Sequence, residues 1–240
     1  MYVDFSELFH QSSKDRSGEG RVKIPLDPAA WPKEWTEIEY KAYPRFPKVP
    51  LAGEDPSGDL WDAIRGRASQ RDFTARPLPL RDISLLLKYS CGTFAGTRRA
   101  QPSGGGRYPI EAYPLIFVGS DGIPSGVYHY NVREHALDSL WERAFTESDA
   151  AELFTYPWAQ QASLALVLTA VFRRNQAKYG ERGYRQILIE AGAIVQNVYL
   201  VSQRLGIKCC AIDGVVEPAI EKLIDVDGVS ESVLTSIVLG

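Results

Sequence analysis

The sequence predicts an α+β fold, and three observations lead there. Ile187, Leu188, Ala191, Ile194, Val195, Val198 and Tyr199 recur at helical spacing, and Leu205 extends the stripe. That predicts a long core helix over 183–205, closed by Gly206 in a left-handed conformation. The run from Ser163 to Phe172 is almost wholly apolar and partly β-branched, as suits a central strand covered on both faces. Helices and strands alternate irregularly, without repeated βαβ units. No Gly-x-Gly-x-x-Gly follows a strand, so a doubly wound dinucleotide fold is unsupported.

Taken in order, residues 1–50 read as an irregular arm before a main domain over 51–240. SSKDRSGEG is polar and has little to bury. Trp31, Trp35, Tyr40 and Tyr43 follow among five prolines, the pattern of an arm pinned by aromatic anchors or edging a substrate channel. A short helix begins near Asp59, turns Leu60, Ala63 and Ile64 inward, and runs out at Gly66. Another spans 79–90, with Pro79 near its first turn and Ile83, Leu86 and Leu87 inward, and Gly92 ends it. Strands are predicted over 112–119, 126–130 and 163–172. Between the last two, Thr146 and Asp149 have capping-box spacing ahead of Leu153 and Phe154. After the long helix come a turn at Ile212-Asp213-Gly214, a helix over 217–223 and a last strand over 234–239.

With 240 residues, 45% of them hydrophobic, the chain can bury a full core. A net charge of -3 with mixed signs offers no basic block for nucleic acid or an anionic membrane. No apolar stretch is long enough to span a bilayer, and Met1-Tyr2-Val3-Asp4 does not open a signal peptide. Cys91, Cys209 and Cys210 form no disulfide framework, and with three histidines they offer no metal set, so they read as buried filler. The expectation is a cytoplasmic protein without structural metal.

Two segments carry candidate chemistry. If RASQRDF is extended, Arg67, Ser69 and Arg71 share one side. Two guanidinium forks and a hydroxyl have the composition of a phosphate grip, or of a plain solvated basic loop. GTRRAQPSGGGRYP holds three consecutive glycines and no bulky apolar residue across 101–106, which suits a loop against something flat or an ordinary surface turn. Lys178-Tyr179, just before the long helix, reads by itself as a surface lysine beside a packed aromatic.

Six segments in order resemble the flavin-dependent nitroreductase superfamily, and more narrowly its SagB/ThcOx-type azoline dehydrogenase branch. They are RASQRDF, LPLRDISLLLKYSCGTF, PSGGGRYPIEAYPLIF, GVYHYNVREHALDSL, KYGERGYRQILIEAGAIVQNVYLVSQRLG and AIDG. The resemblance covers about Leu60 to Val238 and implies a mixed antiparallel sheet wrapped by helices, with the long helix at a homodimer interface and FMN between subunits. By this resemblance Arg67, Ser69 and Arg71 match the segment that contacts the FMN phosphate and ribityl chain. Ala68 stands where many members have arginine and offers only backbone. Pro102, Ser103 and Gly104 match the loop laid on the flavin ring from the opposite subunit. Ile212, Asp213 and Gly214 match the turn whose amide faces the reactive flavin nitrogen. Lys178 and Tyr179 match the catalytic pair of azoline dehydrogenases.

The implied reaction is oxidation of a thiazoline or oxazoline in a ribosomally made peptide, with O2 reoxidising the flavin. Aromatising such a ring removes a proton and a hydride, so it needs both a redox cofactor and a base. The base is Lys178, if burial or neighbouring arginines favour its neutral amine, or Tyr179 as a phenolate beside Lys178. The chain's length leaves the peptide to be presented by partner proteins such as a cyclodehydratase complex. Family members commonly carry a basic residue past the last strand. This sequence ends at Leu239-Gly240, so that contact is missing or Lys208 or another basic residue replaces it. Two other readings stand beside this one: a nitroreductase-like enzyme using NAD(P)H on a quinone, nitroaromatic or other small metabolite, and a flavin-free scaffold subunit.

Overall fold

The computed structural model describes residues 3–16, 25, 27–36, 38, 40–42, 44–51, 56–94 and 96–240. Tyr43 and residues 17–20 of the polar segment lie outside them. Six strands form one sheet: β1 (Ile110–Ile116), β2 (Gly126–Asn131), β3 (Ala136–Glu142), β4 (Leu164–Val171), β5 (Cys209–Ile212) and β6 (Glu231–Leu239). Their order is β3-β2-β1-β4-β6-β5, and every pairing among the described residues is antiparallel. The helices are α1 (Phe5–Ser13), α2 (Lys33–Thr36), α3 (Asp59–Gly66), α4 (Leu80–Cys91), α5 (Glu147–Leu153), α6 (Arg173–Tyr179), α7 (Arg182–Leu205) and α8 (Glu217–Leu223). The class is α+β.

β4 explains the layering. Because side chains alternate along a strand, Leu164, Leu166, Leu168 and Ala170 face one core, with Ile83, Leu86 and Leu87 of α4 and Ile187, Ile194 and Val198 of α7. Ala165 and Val167 face a second core, with Leu153, Phe154, Ile220 and Ile224 around α5 and α8. A strand covered on both faces must be apolar throughout, and β4 is. α7 keeps the predicted end: Gly206 has φ 70° and ψ 24°. Thr146 and Asp149 form the expected capping box. Cys91, Cys209 and Cys210 are free and buried. Burial pushes the Cys91 thiol up to about 12 and Cys209 to about 11, so both stay protonated at neutral pH.

Four local expectations are corrected. Leu60 and Ile64 do not face inward: both are exposed, because α3 lies outside α7 and its apolar side finds no cover in one chain. Leu188 is likewise exposed, beside Ile189 at 72%. The polar segment does bury something. Ser12 and Ser13 belong to α1, and Lys14 is buried, donating to Glu221 Oε1 and the Gly228 carbonyl, each at 2.7 Å. Trp35 and Tyr40 are exposed, and Trp31 meets Trp35 edge to face at 6.4 Å. These aromatics therefore do not do the pinning, which falls to α1. Among the described residues no helix is long and apolar enough to cross a membrane, and no group of three His, Cys, Asp or Glu side chains is arranged to hold a metal.

Candidate functional site

The predicted site residues fall into two groups, one toward each end of α7. The C-terminal group is organised by Tyr199. Its hydroxyl lies 2.8 Å from Ser69 Oγ and accepts the Ala211 amide at 2.9 Å, so the 67–71 strip and the 211–214 turn share one side chain. Gln70 donates its amide to the Cys209 carbonyl at 2.9 Å, holding the strip along β5. Arg67 lies over the Tyr199 ring and Arg71 over the Trp158 ring, each at 5.5 Å to the centroid. Arg67, Ala68, Ser69 and Arg71 are exposed. At the turn, Ile212 is buried and Asp213 accepts from Thr235 Oγ1 at 3.0 Å. Gly214 lies flush on Tyr156, where a Cβ would overlap the ring. Lys208 is engaged elsewhere: its ammonium donates to Asp72 Oδ2 at 2.6 Å and holds that carboxyl below the ordinary range.

The N-terminal group surrounds the glycine loop. Ser103 accepts the Tyr108 amide at 2.8 Å, and 104–106 form a single tight turn. Gly105 has φ 65°, and a Cβ there would overlap the Tyr179 hydroxyl and come to 3.1 Å from Lys178 Nζ. A Cβ on Gly104 would overlap Gln186 Oε1. Glycine is required at Gly105 by backbone sign and by close approach together. Lys178 and Tyr179 end α6, a separate helix that the sequence reading missed, and Gly180 turns the chain into α7. Lys178 is exposed, and its Nζ sits 5.1 Å from the Tyr179 ring centroid. Arg182 and Arg185 are exposed on the following turns.

Beneath the loop lie three residues that sequence reasoning passed over: Gln101, Gln186 and Glu190. Glu190, at 2% exposure, accepts from Gln101 Nε2 at 3.2 Å. Burial pushes its carboxyl above the ordinary range, against the pull of Ser103, Gln101 and Arg99. A glutamate on the buried stripe of an amphipathic helix was the available signal.

The donor set suits FMN. The glycine loop offers a flat surface free of side chains, and the strip offers exposed guanidinium and hydroxyl donors. Thirteen residues separate Gln186 from Tyr199, roughly 20 Å along α7, so the loop and the strip do not meet in one chain.

The nitroreductase family model matches residues 64–240. The trifolitoxin-processing protein TfxB of Rhizobium leguminosarum bv. trifolii is 33% identical over 181 residues, covering 68% of this chain and 48% of that protein. The microcin B17-processing protein McbC of Escherichia coli is 31% identical over 163 residues, covering 62% of this chain and 57% of that one. The chain thus spans about half the length of these curated relatives. A solved structure of the E. coli microcin synthetase McbBCD complex with truncated pro-MccB17 bound aligns with a TM-score of 0.76 at 23% identity, over 100% of this chain and 94% of that one. The chain belongs to the nitroreductase family.

Proposed function

We propose that this protein is an FMN-dependent oxidoreductase that dehydrogenates thiazoline or oxazoline rings in a ribosomally made peptide natural product. One observation carries the reading: the loop expected to lie against the flavin closes directly on the Tyr179 hydroxyl and the Lys178 ammonium. A candidate acid–base pair and a candidate cofactor surface would thus share one place, as ring aromatisation requires. The peptide-processing relatives support the substrate class, and the complex-bound neighbour supports presentation of the peptide by a synthetase assembly.

Arg67, Ser69 and Arg71 would hold the phosphate and ribityl chain, Pro102, Ser103 and Gly104 the ring, and the 212–214 turn the edge of that ring. FMN, when bound, supplies the hydride acceptor and returns the electrons to O2. The chain's own part is to orient the ring and take its proton, on Tyr179 oxygen or Lys178 nitrogen. The separation of roughly 20 Å between strip and loop supports a homodimer. A second copy packed on the exposed Leu188 and Ile189 face of α7 would bring its strip to this chain's loop.

The test is spectroscopic. Purified protein is expected to show flavin absorbance, directly or after adding FMN, and to be bleached anaerobically by an azoline peptide faster than by NAD(P)H. Rapid bleaching by NAD(P)H alone would favour a small-molecule nitroreductase. No flavin bands even with added FMN would favour a scaffold subunit.

A further inference from the structure

Among the described residues, three buried acceptor oxygens beneath the glycine loop make no hydrogen bond of good geometry: Gln101 Oε1, Gln186 Oε1 and Glu190 Oε2, the last with Ser103 near its carboxyl. Unpaired buried acceptors are costly. Two of them belong to residues already joined by the 3.2 Å bond from Gln101 Nε2 to Glu190 Oε1. A carboxamide and a carboxylic acid placed side by side close a ring of two hydrogen bonds. The amide N–H donates to one carboxyl oxygen, and the acid O–H on the other donates back to the amide oxygen. A carboxylate cannot do this, because it has nothing to donate.

We propose that Glu190 is a neutral carboxylic acid paired with Gln101, and that this pair is a positioning device that seats the glycine loop against Tyr179 and Lys178. Gln101 immediately precedes Pro102-Ser103-Gly104, so fixing it to the middle of α7 sets the height of the loop. The same loop then meets the Tyr179 hydroxyl at Gly105 and the Gln186 carboxamide at Gly104. Burial of Glu190 within this cluster favours the neutral form.

The groups that bear on Glu190 agree. Ser103 and Gln101 face it from the loop, Arg99 from the segment before the loop, and Gln186 lies one turn earlier on α7. Lys178 and Tyr179 of α6 meet the loop at Gly105. Arg99, the charged group that draws Glu190 toward ionisation, is itself stacked on Tyr108 at 4.9 Å and outweighed by burial. An acid held neutral in the fold contributes best at low pH. As pH rises past the ordinary glutamate range toward the raised value, the fold must give up the proton to solvent and keep a buried carboxylate, and seating of the loop is lost.

The role rests on the functional reading above, but the pairing does not, and the test separates them. Infrared difference spectra of FMN-loaded wild type against Glu190→Gln at neutral pH are expected to show a protonated carboxyl band that the variant lacks. Glutamine forms the same ring with Gln101. Glu190→Gln should therefore reduce its flavin with an azoline peptide within about twofold of wild type and lose the high-pH decline. Glu190→Ala should fall at least about tenfold, as for a displaced site. If Glu190→Ala does not fold, Gln101→Leu takes its place with the same expectation. A carboxylate signal in wild type, with Ser103 as its donor, would overturn the pairing. Glu190→Gln as impaired as Glu190→Ala would overturn the positioning role. If no azoline peptide reduces even the wild-type flavin, the substrate reading fails, while the infrared band still decides the state of Glu190.

Discussion

A methyl group at Gly105 tests the site at its tightest point. Gly105→Ala must hold an L-residue at φ 65° while its Cβ overlaps the Tyr179 hydroxyl. The expected cost is about 1–2 kcal/mol of stability, with azoline oxidation reduced at least about tenfold by displacement of the pair. Thermal unfolding and flavin bleaching measure the two effects. The glycines of this loop and the Lys178-Tyr179 pair were legible one by one. Their contact was not, because it depends on where a loop and the end of α6 come together, which neither periodicity nor spacing encodes. The pairing of Gln101 with Glu190 was hidden for a related reason: the glutamate on the buried stripe of α7 was a visible signal, but its partner lies far away in sequence.

At the scale of elements, the long apolar patterns were the readable ones. β4, α4 and α7 each carry enough alternation or helical periodicity to fix type from sequence, and most of their burial, Leu188 of α7 excepted. Short or polar elements escaped. β3 has mostly exposed residues at the sheet edge, β5 has four residues, and α6 holds a run of charged and polar side chains. α1 escaped as well. Its attachment is a set of individual bonds: Asp4 caps it, Gln176 donates to Ser6 at 2.8 Å, and Lys14 reaches Glu221. His10 is buried among them, 2.8 Å from Ser232 Oγ and 3.2 Å from the Tyr184 hydroxyl. Burial, then the nearby Lys14 charge, lowers its pKa from 6.5 to about 4. Because the folded value lies below the unfolded one, the stability from neutral His10 is present above about pH 6.5 and lost as pH falls toward 4. Urea midpoints at pH 7 and 4.5 should differ more in wild type than in His10→Gln. Equal differences would show that α1 is not released by this protonation.

At the scale of the molecule, the fold makes one sheet with two cores and leaves the two groups of candidate residues far apart on the same helix. The sequence pattern was sufficient for the layers, since a doubly covered β4 demands them. It also gave the exposed apolar side chains of α3 and α7 no sign of facing outward, because amphipathicity counts apolar residues without saying which molecule covers them. Leu60, Ile64, Leu188 and Ile189 are therefore where a single-chain reading fails, and the proposed second copy would cover them. The account then requires each catalytic site to draw its Lys178-Tyr179 pair from one chain and its Arg67-Ser69-Arg71 strip from another.

That requirement is tested by mixing Lys178→Ala with the double variant Arg67→Ala and Arg71→Ala, allowing subunits to exchange, and following ring oxidation as a loss of roughly 2 Da, one proton and one hydride. Each variant alone should be inactive, with Lys178→Ala retaining FMN. The mixture should recover about a quarter of wild-type activity, since half of randomly formed dimers carry one intact site of two. Full oxidation by Lys178→Ala alone, or no recovery in a mixture shown to exchange, would contradict the account.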